Sequence, residues 1–356
     1  MGPGPSDVPP RVLEALSRPT IGHLDPVFLE VLDEAQAMLR QVFGTKNALT
    51  LPMSATGSAG METCFVNLLE SGERALICRN GVFGGRMAEV ARRCGAEVTL
   101  VDAPWGKAID PDDVAKAATE GSFKVLGIVH AETSTGVLQD LSPFRAIADS
   151  CGALLLVDAV TSLGGVAVDL DRMGIDAVYS GTQKCLSCPP GLSPVSFSER
   201  ARQVLSTRKT PVQSWYFDLN LIGRYFGDER VYHHTAPVNM IFALHEALRL
   251  VLEEGLQARY ARHREQAAAL QRGLQALGLE LPVEESVRLP PLTLVRIPDG
   301  IDDRAVRAKL LADHGLEIGG GLGDFKGKAW RIGLMGASAT PQHVKLCLGA
   351  LEEALR

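Results

Sequence analysis

No apolar run in this 356-residue chain reaches the roughly 18–20 residues that a membrane-spanning helix requires. Blocks of like charge are missing too. The 36 Lys and Arg against 42 Asp and Glu leave a formal net charge of −6, which gives no electrostatic case for nucleic acid or an anionic membrane. The opening MGPGPSDVPP has neither a charged n-region nor an apolar h-region, so no secretory leader is expected. The final ALR is not the Ser-Lys-Leu peroxisomal signal. Cysteines are few, odd in number and scattered, seven in all, which points to reduced thiols in a cytoplasm. The Cys185-x-x-Cys188 pair has no second pair to complete a zinc site. What remains, 46% hydrophobic and 22% charged, is the composition of a soluble globular enzyme. Its length calls for more than one core.

The most informative stretch runs from Leu154 to Gly191. It opens with the apolar Leu154–Val157, which stops at Asp158. A second β-rich run, Ala177–Ser180, leads into Gly181-Thr182-Gln183-Lys184. Short branched runs ending in a polar residue or Gly read as strands buried in a parallel sheet, and ligands of open α/β sheets bind at the carboxyl ends of such strands. One stretch therefore delivers a carboxylate and an amine to the same sheet edge. Pyridoxal phosphate chemistry needs that pair: a Lys forms a Schiff base with the aldehyde, and an Asp keeps the pyridine nitrogen protonated. At about 3 Å and an effective dielectric near 20, the carboxylate–pyridinium attraction is on the order of 5 kcal/mol.

The rest of the chain repeats strand and helix. Leu49–Pro52, Ala75–Cys78, Glu97–Val101 and Val125–Val129 read as strands, and 27–43 reads as an amphipathic helix. Ser142-Pro143 has the form of an N-cap and first helical residue. The small residues at 54–60 open a helix, where free N–H groups favour a phosphate, although the spacing is not the dinucleotide Gly-x-Gly-x-x-Gly. Two long helices follow from Met240 to about Leu277. A second domain carries strands at 292–297, 316–318 and 330–336, with Gly319–Gly323 as a flexible loop. The adjacent His233 and His234 would point to opposite faces of an extended segment, so no metal is expected there.

LLLVDAVTSLGG…GIDAVYSGTQKCLSCPPGLSPVSFS resembles the class V aminotransferases of pyridoxal phosphate fold type I, in the alanine–glyoxylate / serine–pyruvate aminotransferase family. The likeness extends from GPGPSDVPP to WRIGLMG. It implies an α/β fold with a mostly parallel central sheet, helices on both faces and a smaller α/β C-terminal domain. On that plan, residues 1–15 form an N-terminal arm, 16–250 the large domain and 251–356 the small one.

The resemblance also assigns roles. Lys184 forms the internal Schiff base and later moves a proton between the substrate Cα and the cofactor C4′. Asp158 pairs with the ring nitrogen, and Gln183 stands where cysteine desulfurases typically carry His. Thr56, Gly57 and Ser58 hold the phosphate, Phe83 stacks on the ring, and Thr133 supplies a hydroxyl. In the YHHT segment, Tyr232 and Thr235 reach the phosphate of the other subunit, so a homodimer with shared sites is implied. Arg331, an arginine in an apolar strand, grips the substrate carboxylate. The arm, with Gly4, closes the site, and His23 faces substrate from a variable loop. Alanine or serine as donor, and glyoxylate or pyruvate as acceptor, are the expected substrates. Serine–glyoxylate and ureidoglycine–glyoxylate transamination, a lyase or desulfurase, and a non-catalytic binding protein are the alternatives, and His23 and Asn239 are the positions on which donor choice is expected to turn.

Overall fold

A computed structural model describes residues 1–356. Nine strands form between residues 49 and 197: β1 (Leu49–Ser54), β2 (Arg74–Arg79), β3 (Glu97–Asp102), β4 (Val125–Val129), β5 (Ala131–Glu132), β6 (Val137–Leu138), β7 (Leu154–Asp158), β8 (Ala177–Tyr179) and β9 (Leu192–Phe197). Seven of them make one sheet in the order β1-β9-β8-β7-β4-β2-β3. Neighbours are parallel except at β9, which runs antiparallel to both β1 and β8. Every residue of β4, β7, β8 and β9 is buried. That is why these strands carry no polar alternation: helices cover both faces of a parallel sheet.

The topology places the site. Six strands share one direction, so Ser54, Arg79, Val129, Asp158 and Tyr179 all end at one edge. The winding reverses at β2, because β3 lies on one side of it and β4 on the other. A crevice forms at such a reversal, outside the carboxyl ends of the strands.

A second sheet, β10 (Leu292–Arg296), β11 (Gly319–Gly320) and β12 (Ala329–Gly333), is antiparallel with β12 central. It has its own apolar core around the fully buried Trp330, separate from the core under the large sheet. Residues 316–318 are irregular rather than a strand, and the pairing falls on Gly319–Gly320 instead. Pro3 packs so close to Gly319 that a Cβ there would lie 2.6 Å from its ring. The helix predicted to be capped by Ser142 begins at Phe144. The Ser142 hydroxyl and amide both donate to Asp140, at 2.8 and 2.9 Å, and Pro143 takes the cap position with no side-chain cap bond.

Within the expected arm, Pro10–Leu16 is helical, with Val12 and Ala15 buried and packed against the helix Val238–Glu254. Residues 1–9 form neither helix nor strand and bend at 3–5. Helix Val238–Glu254 buries its apolar side in the large core as far as Val251, while Leu270 and Leu274 of helix Leu256–Ala276 belong to the small core. We therefore propose that the domain division falls along helix Leu256–Ala276.

Candidate active site

A cavity of about 160 Å³ opens at the carboxyl edge of the large sheet. Its lining includes Thr56, Gly57, Ser58 and Phe83 from the β1 and β2 ends, Thr133 from beyond β4, and Asp158, Gln183 and Lys184. Residues up to 128 positions apart in the chain meet here because their strands end together.

Asp158 is 3% exposed. Its Oδ1 accepts from the Val160 N–H at 2.8 Å and its Oδ2 from the Tyr179 hydroxyl at 2.7 Å. Burial pushes its carboxyl up to about 7, against the pull of those two bonds, and the nearby Glu132 charge adds to the rise. Lys184 moves the other way. Burial, followed by the positive Arg331, lowers its amine to about 8. The Lys184 amine donates to the carbonyl of Pro3, so the arm lies directly over it. Ser6 fastens the arm there, its N–H donating to Gln183 O at 2.8 Å and its hydroxyl to Lys184 O at 2.6 Å. Gly4 has φ +100°, and a Cβ at that position would sit 2.5 Å from the Lys184 amine. Both the conformation and the space demand glycine.

Thr56 precedes the helix Gly57–Leu68 without using its hydroxyl as a cap, so the hydroxyl and the first N–H groups of the helix are free for an anion. Arg86 adds a positive charge beside them. Its Nη1 reaches Ser58 Oγ at 3.4 Å, and its guanidinium lies 5.0 Å from the Phe83 ring centre. Phe83 and Arg86 are three apart in helix Val82–Arg93 and so share a face. The sequence reading missed Arg86, although that spacing was available.

Glu132 was also missed. It is fully buried, and its two oxygens accept from the N–H groups of Phe83 (3.1 Å), Gly84 (3.4 Å) and Ser134 (3.0 Å), and from the Ser134 hydroxyl (2.6 Å). Gly81 runs so close that a Cβ would fall 2.5 Å from the Glu132 side chain. Burial raises the carboxyl above its usual range despite these donors. Glu132 thus fixes the turn that presents Phe83. Glu132→Gln turns an amide NH₂ toward one of the two donor pairs and is expected to cost about 2–4 kcal/mol of stability, measured as a shift of the urea midpoint.

Arg331 is 9% exposed and has no carboxylate within ion-pair distance. Its Nε donates to Gly320 O at 2.8 Å and its Nη1 to Thr133 O at 3.4 Å, which leaves further N–H donors uncommitted. Burial lowers its pKa, and only the Glu132 charge opposes this. A buried guanidinium with spare donors and no counter-charge is a ready site for a carboxylate.

Five sequence-predicted residues do not line the cavity: Gly4 and Arg331, which stand as described above, and Tyr232, Thr235 and His23. Tyr232 is 58% exposed, Thr235 is exposed, and His23 packs 5.3 Å from the Tyr232 ring. Asn239 is occupied as a structural clip, donating to Leu16 O and Arg18 O and accepting from Thr20. His233 and His234 do not point apart: their Nδ1 atoms are 2.8 Å from each other. The segment has no strand partner to impose alternation, and His233 stacks on Trp215 at 4.1 Å while His234 bonds Ser54 at 2.9 Å. Cys185 and Cys188 are buried free thiols, like the other five.

Pyridoxal phosphate fits these residues. Gln183 Oε1 is buried without a partner, so a polar ligand in the cavity would satisfy it. Thr56, Gly57, Ser58 and Arg86 suit a phosphate, and Phe83 a flat ring. Asp158 suits a protonated nitrogen, and the Lys184 amine an aldehyde.

Residues 2–323 match the family model Aminotransferase class-V. The chain is 42% identical over 360 residues to an alanine–glyoxylate aminotransferase of Oryctolagus cuniculus, covering 100% of this chain and 92% of that protein. It is 40% identical over 376 residues to the (S)-ureidoglycine–glyoxylate transaminase of Bacillus subtilis (strain 168), covering 100% and 90%. A crystal structure of an alanine–glyoxylate aminotransferase from Nostoc sp. superposes with a TM-score of 0.98 at 47% identity, covering 100% of this chain and 94% of that one.

Proposed function

This chain belongs to the class-V aminotransferases, and from that premise we propose that it uses pyridoxal phosphate to carry an amino group from alanine or serine to glyoxylate or pyruvate. The observation that carries the reading is the meeting of Lys184 and Asp158 beside an anion cradle in one cavity. When bound, the cofactor supplies an aldehyde that takes the amino group and a protonated ring that accepts the electron pair left at the donor's Cα.

The protein's own residues then have defined tasks. Arg331 holds the α-carboxylate with its spare donors and so presents the Cα–H to one side. Lys184, with its amine lowered to about 8, is substantially neutral near pH 8 and takes that proton, then returns it at C4′. Asp158 keeps the proton on the ring nitrogen, and Tyr179 and the Val160 N–H orient it. Gln183 and Thr133 offer polar contacts to the ring substituents, and Phe83 covers one ring face. The arm, held by Ser6, excludes water over Lys184, with Gly4 providing the clearance. Tyr232 and Thr235 complete the cradle of a second copy, in a homodimer. The exposed Trp215, Tyr216, Val231 and Tyr232 support that assembly, since so large an apolar surface favours a partner. His23, beside Tyr232, belongs to the same surface and bears on donor choice from there.

Ureidoglycine as donor is the second reading, and the Bacillus subtilis relative favours it. A desulfurase is disfavoured because all seven thiols are buried, and none is placed to act as a mobile nucleophile. No helix is long and apolar enough to cross a membrane. Steady-state kcat/KM for L-alanine, L-serine and ureidoglycine, each with glyoxylate, decides among the donors. Alanine or serine is expected to exceed ureidoglycine by at least about tenfold, and the reverse order assigns the second reading.

A further inference from the structure

Between the two cores one carboxylate receives two arginines, and each arginine holds backbone on its own side. Glu254, at the end of helix Val238–Glu254, accepts from Arg259 Nη1 at 2.6 Å. It also accepts from Arg262 Nε at 2.6 Å and Nη2 at 2.9 Å. Arg259 is 5% exposed. Its Nε donates to Gly164 O at 2.9 Å and its Nη2 to Cys185 O at 2.6 Å. Arg262 Nη1 donates to Gly336 O at 2.9 Å and to Ala339 O at 2.7 Å. Cys185 is the residue after Lys184. Residues 336–339 form the turn that follows β12, the strand of Arg331.

The two backbone segments also touch directly. The Ala337 N–H donates to Ser187 Oγ at 2.8 Å, and the Gly336 N–H donates at 2.9 Å to Nε2 of His263, on the same helix as the two arginines. Gly336 has φ +57°, and a Cβ there would stand 2.0 Å from Ser187 Oγ and 2.9 Å from Cys185 O. Such a cluster, with Arg259 buried and Glu254 and Arg262 half-buried, adds little to stability over apolar residues of similar volume. What it provides is fixed distances, because each guanidinium binds in one planar geometry.

We infer that Glu254, Arg259 and Arg262 form a positioning bracket that sets the separation between the Lys184 amine and the Arg331 guanidinium, and so whether an α-carboxylate held by Arg331 brings its Cα to the Lys184 amine. The inference rests on reading Lys184 as the base and Arg331 as the carboxylate anchor. None of the three touches substrate; they act through the backbone of the two segments.

Arg262→Gln is the informative variant, because its side chain is 27% exposed and Arg259 keeps Glu254 as its counter-charge. Glu254→Gln leaves two arginines uncompensated and risks unfolding. In the full-length, pyridoxal phosphate-loaded enzyme, Arg262→Gln is expected to raise KM for L-alanine about tenfold while kcat stays within about threefold. Arg262→Lys, which retains the charge but loses the planar fork of donors, recovers part of the KM. Arg264→Gln, on the exposed side of the same helix, matches the parent. A folded Arg262→Gln enzyme with parental KM overturns the bracket. So does a loss of kcat that merely follows a fall in melting temperature. Arg331→Lys separates the two layers of the argument. If it raises KM while Arg262→Gln does not, the anchor stands and the bracket falls. If Arg331→Lys leaves KM unchanged, the reading on which the bracket rests is wrong.

Discussion

Lys184→Ala, loaded with pyridoxal phosphate, turns over about 10⁴-fold more slowly than the parent while remaining folded. The size of the effect follows from what the site offers in its place. Asp158 is bonded to Tyr179 and Val160, Glu132 is enclosed by four donors, and His130 is buried with its imidazole lowered to about 4. None of these presents a free base to a substrate Cα. The arm contributes the Pro3 carbonyl and the Ser6 hydroxyl, neither of which is a base of useful strength. The substitution also removes a buried amine whose charge is disfavoured, so thermal stability of the cofactor-free protein should not fall. A small primary amine added to the buffer should restore part of the lost rate, because the space left by the side chain admits it. Rates of Cα proton exchange in substrate, with and without that amine, check both points. A variant within tenfold of the parent would place the base elsewhere.

Asp158→Asn is expected to have opposite effects on activity and stability. Activity falls about 10²–10⁴-fold, because an amide cannot hold the proton on a pyridine nitrogen as a carboxylate does. The cofactor-free protein, by contrast, gains stability above neutral pH. The folded carboxyl lies at about 7 and an unfolded Asp near 3.9. The folded state therefore binds more protons than the unfolded one between those values, and stability from this group is lost as pH rises from about 4 through 7. The full loss is on the order of 4 kcal/mol, reduced by the attraction to Lys184, which Asn forgoes. Lys184 has the opposite sign. Its folded amine sits at about 8, so the penalty for its charge is complete below pH 8 and is lifted as pH climbs toward the unfolded value. Urea unfolding of cofactor-free parent and Asp158→Asn proteins at pH 5 and pH 8 should show them closer at pH 5, with the variant about 1–3 kcal/mol more stable at pH 8. Equal stability at pH 8 would mean that the carboxylate is better solvated than its burial indicates.

These predictions concern residues that the sequence made visible, and the reason is local. β4 and β7 are covered on both faces, so they appear as unbroken apolar runs, and the polar residue that ends each run marks the sheet edge. Lys184 follows β8 by a short turn and is found by the same rule. Tyr179 was not visible as a site residue. It closes the apolar run of β8, and its bond to Asp158 follows from their being register partners on neighbouring strands, a fact about pairing rather than about either segment. Glu132 was hidden for a similar reason: the amides it receives lie 48 and 49 residues upstream. The His233–His234 contact defeated a sound rule, since alternation of faces holds in a paired strand and this segment has no such partner. Gly319–Gly320 has the look of a loop, because nothing in a glycine run reveals that Arg331 and Trp330 will pair with it.

The most direct test of the account is a half-reaction. Pyridoxal phosphate-loaded protein is mixed with L-alanine, then with L-serine, and the visible cofactor band is followed by absorbance. The account predicts conversion to the pyridoxamine form with release of the oxo acid, reversed on adding glyoxylate. A band unchanged by both donors, in protein that has demonstrably bound the cofactor, would contradict it.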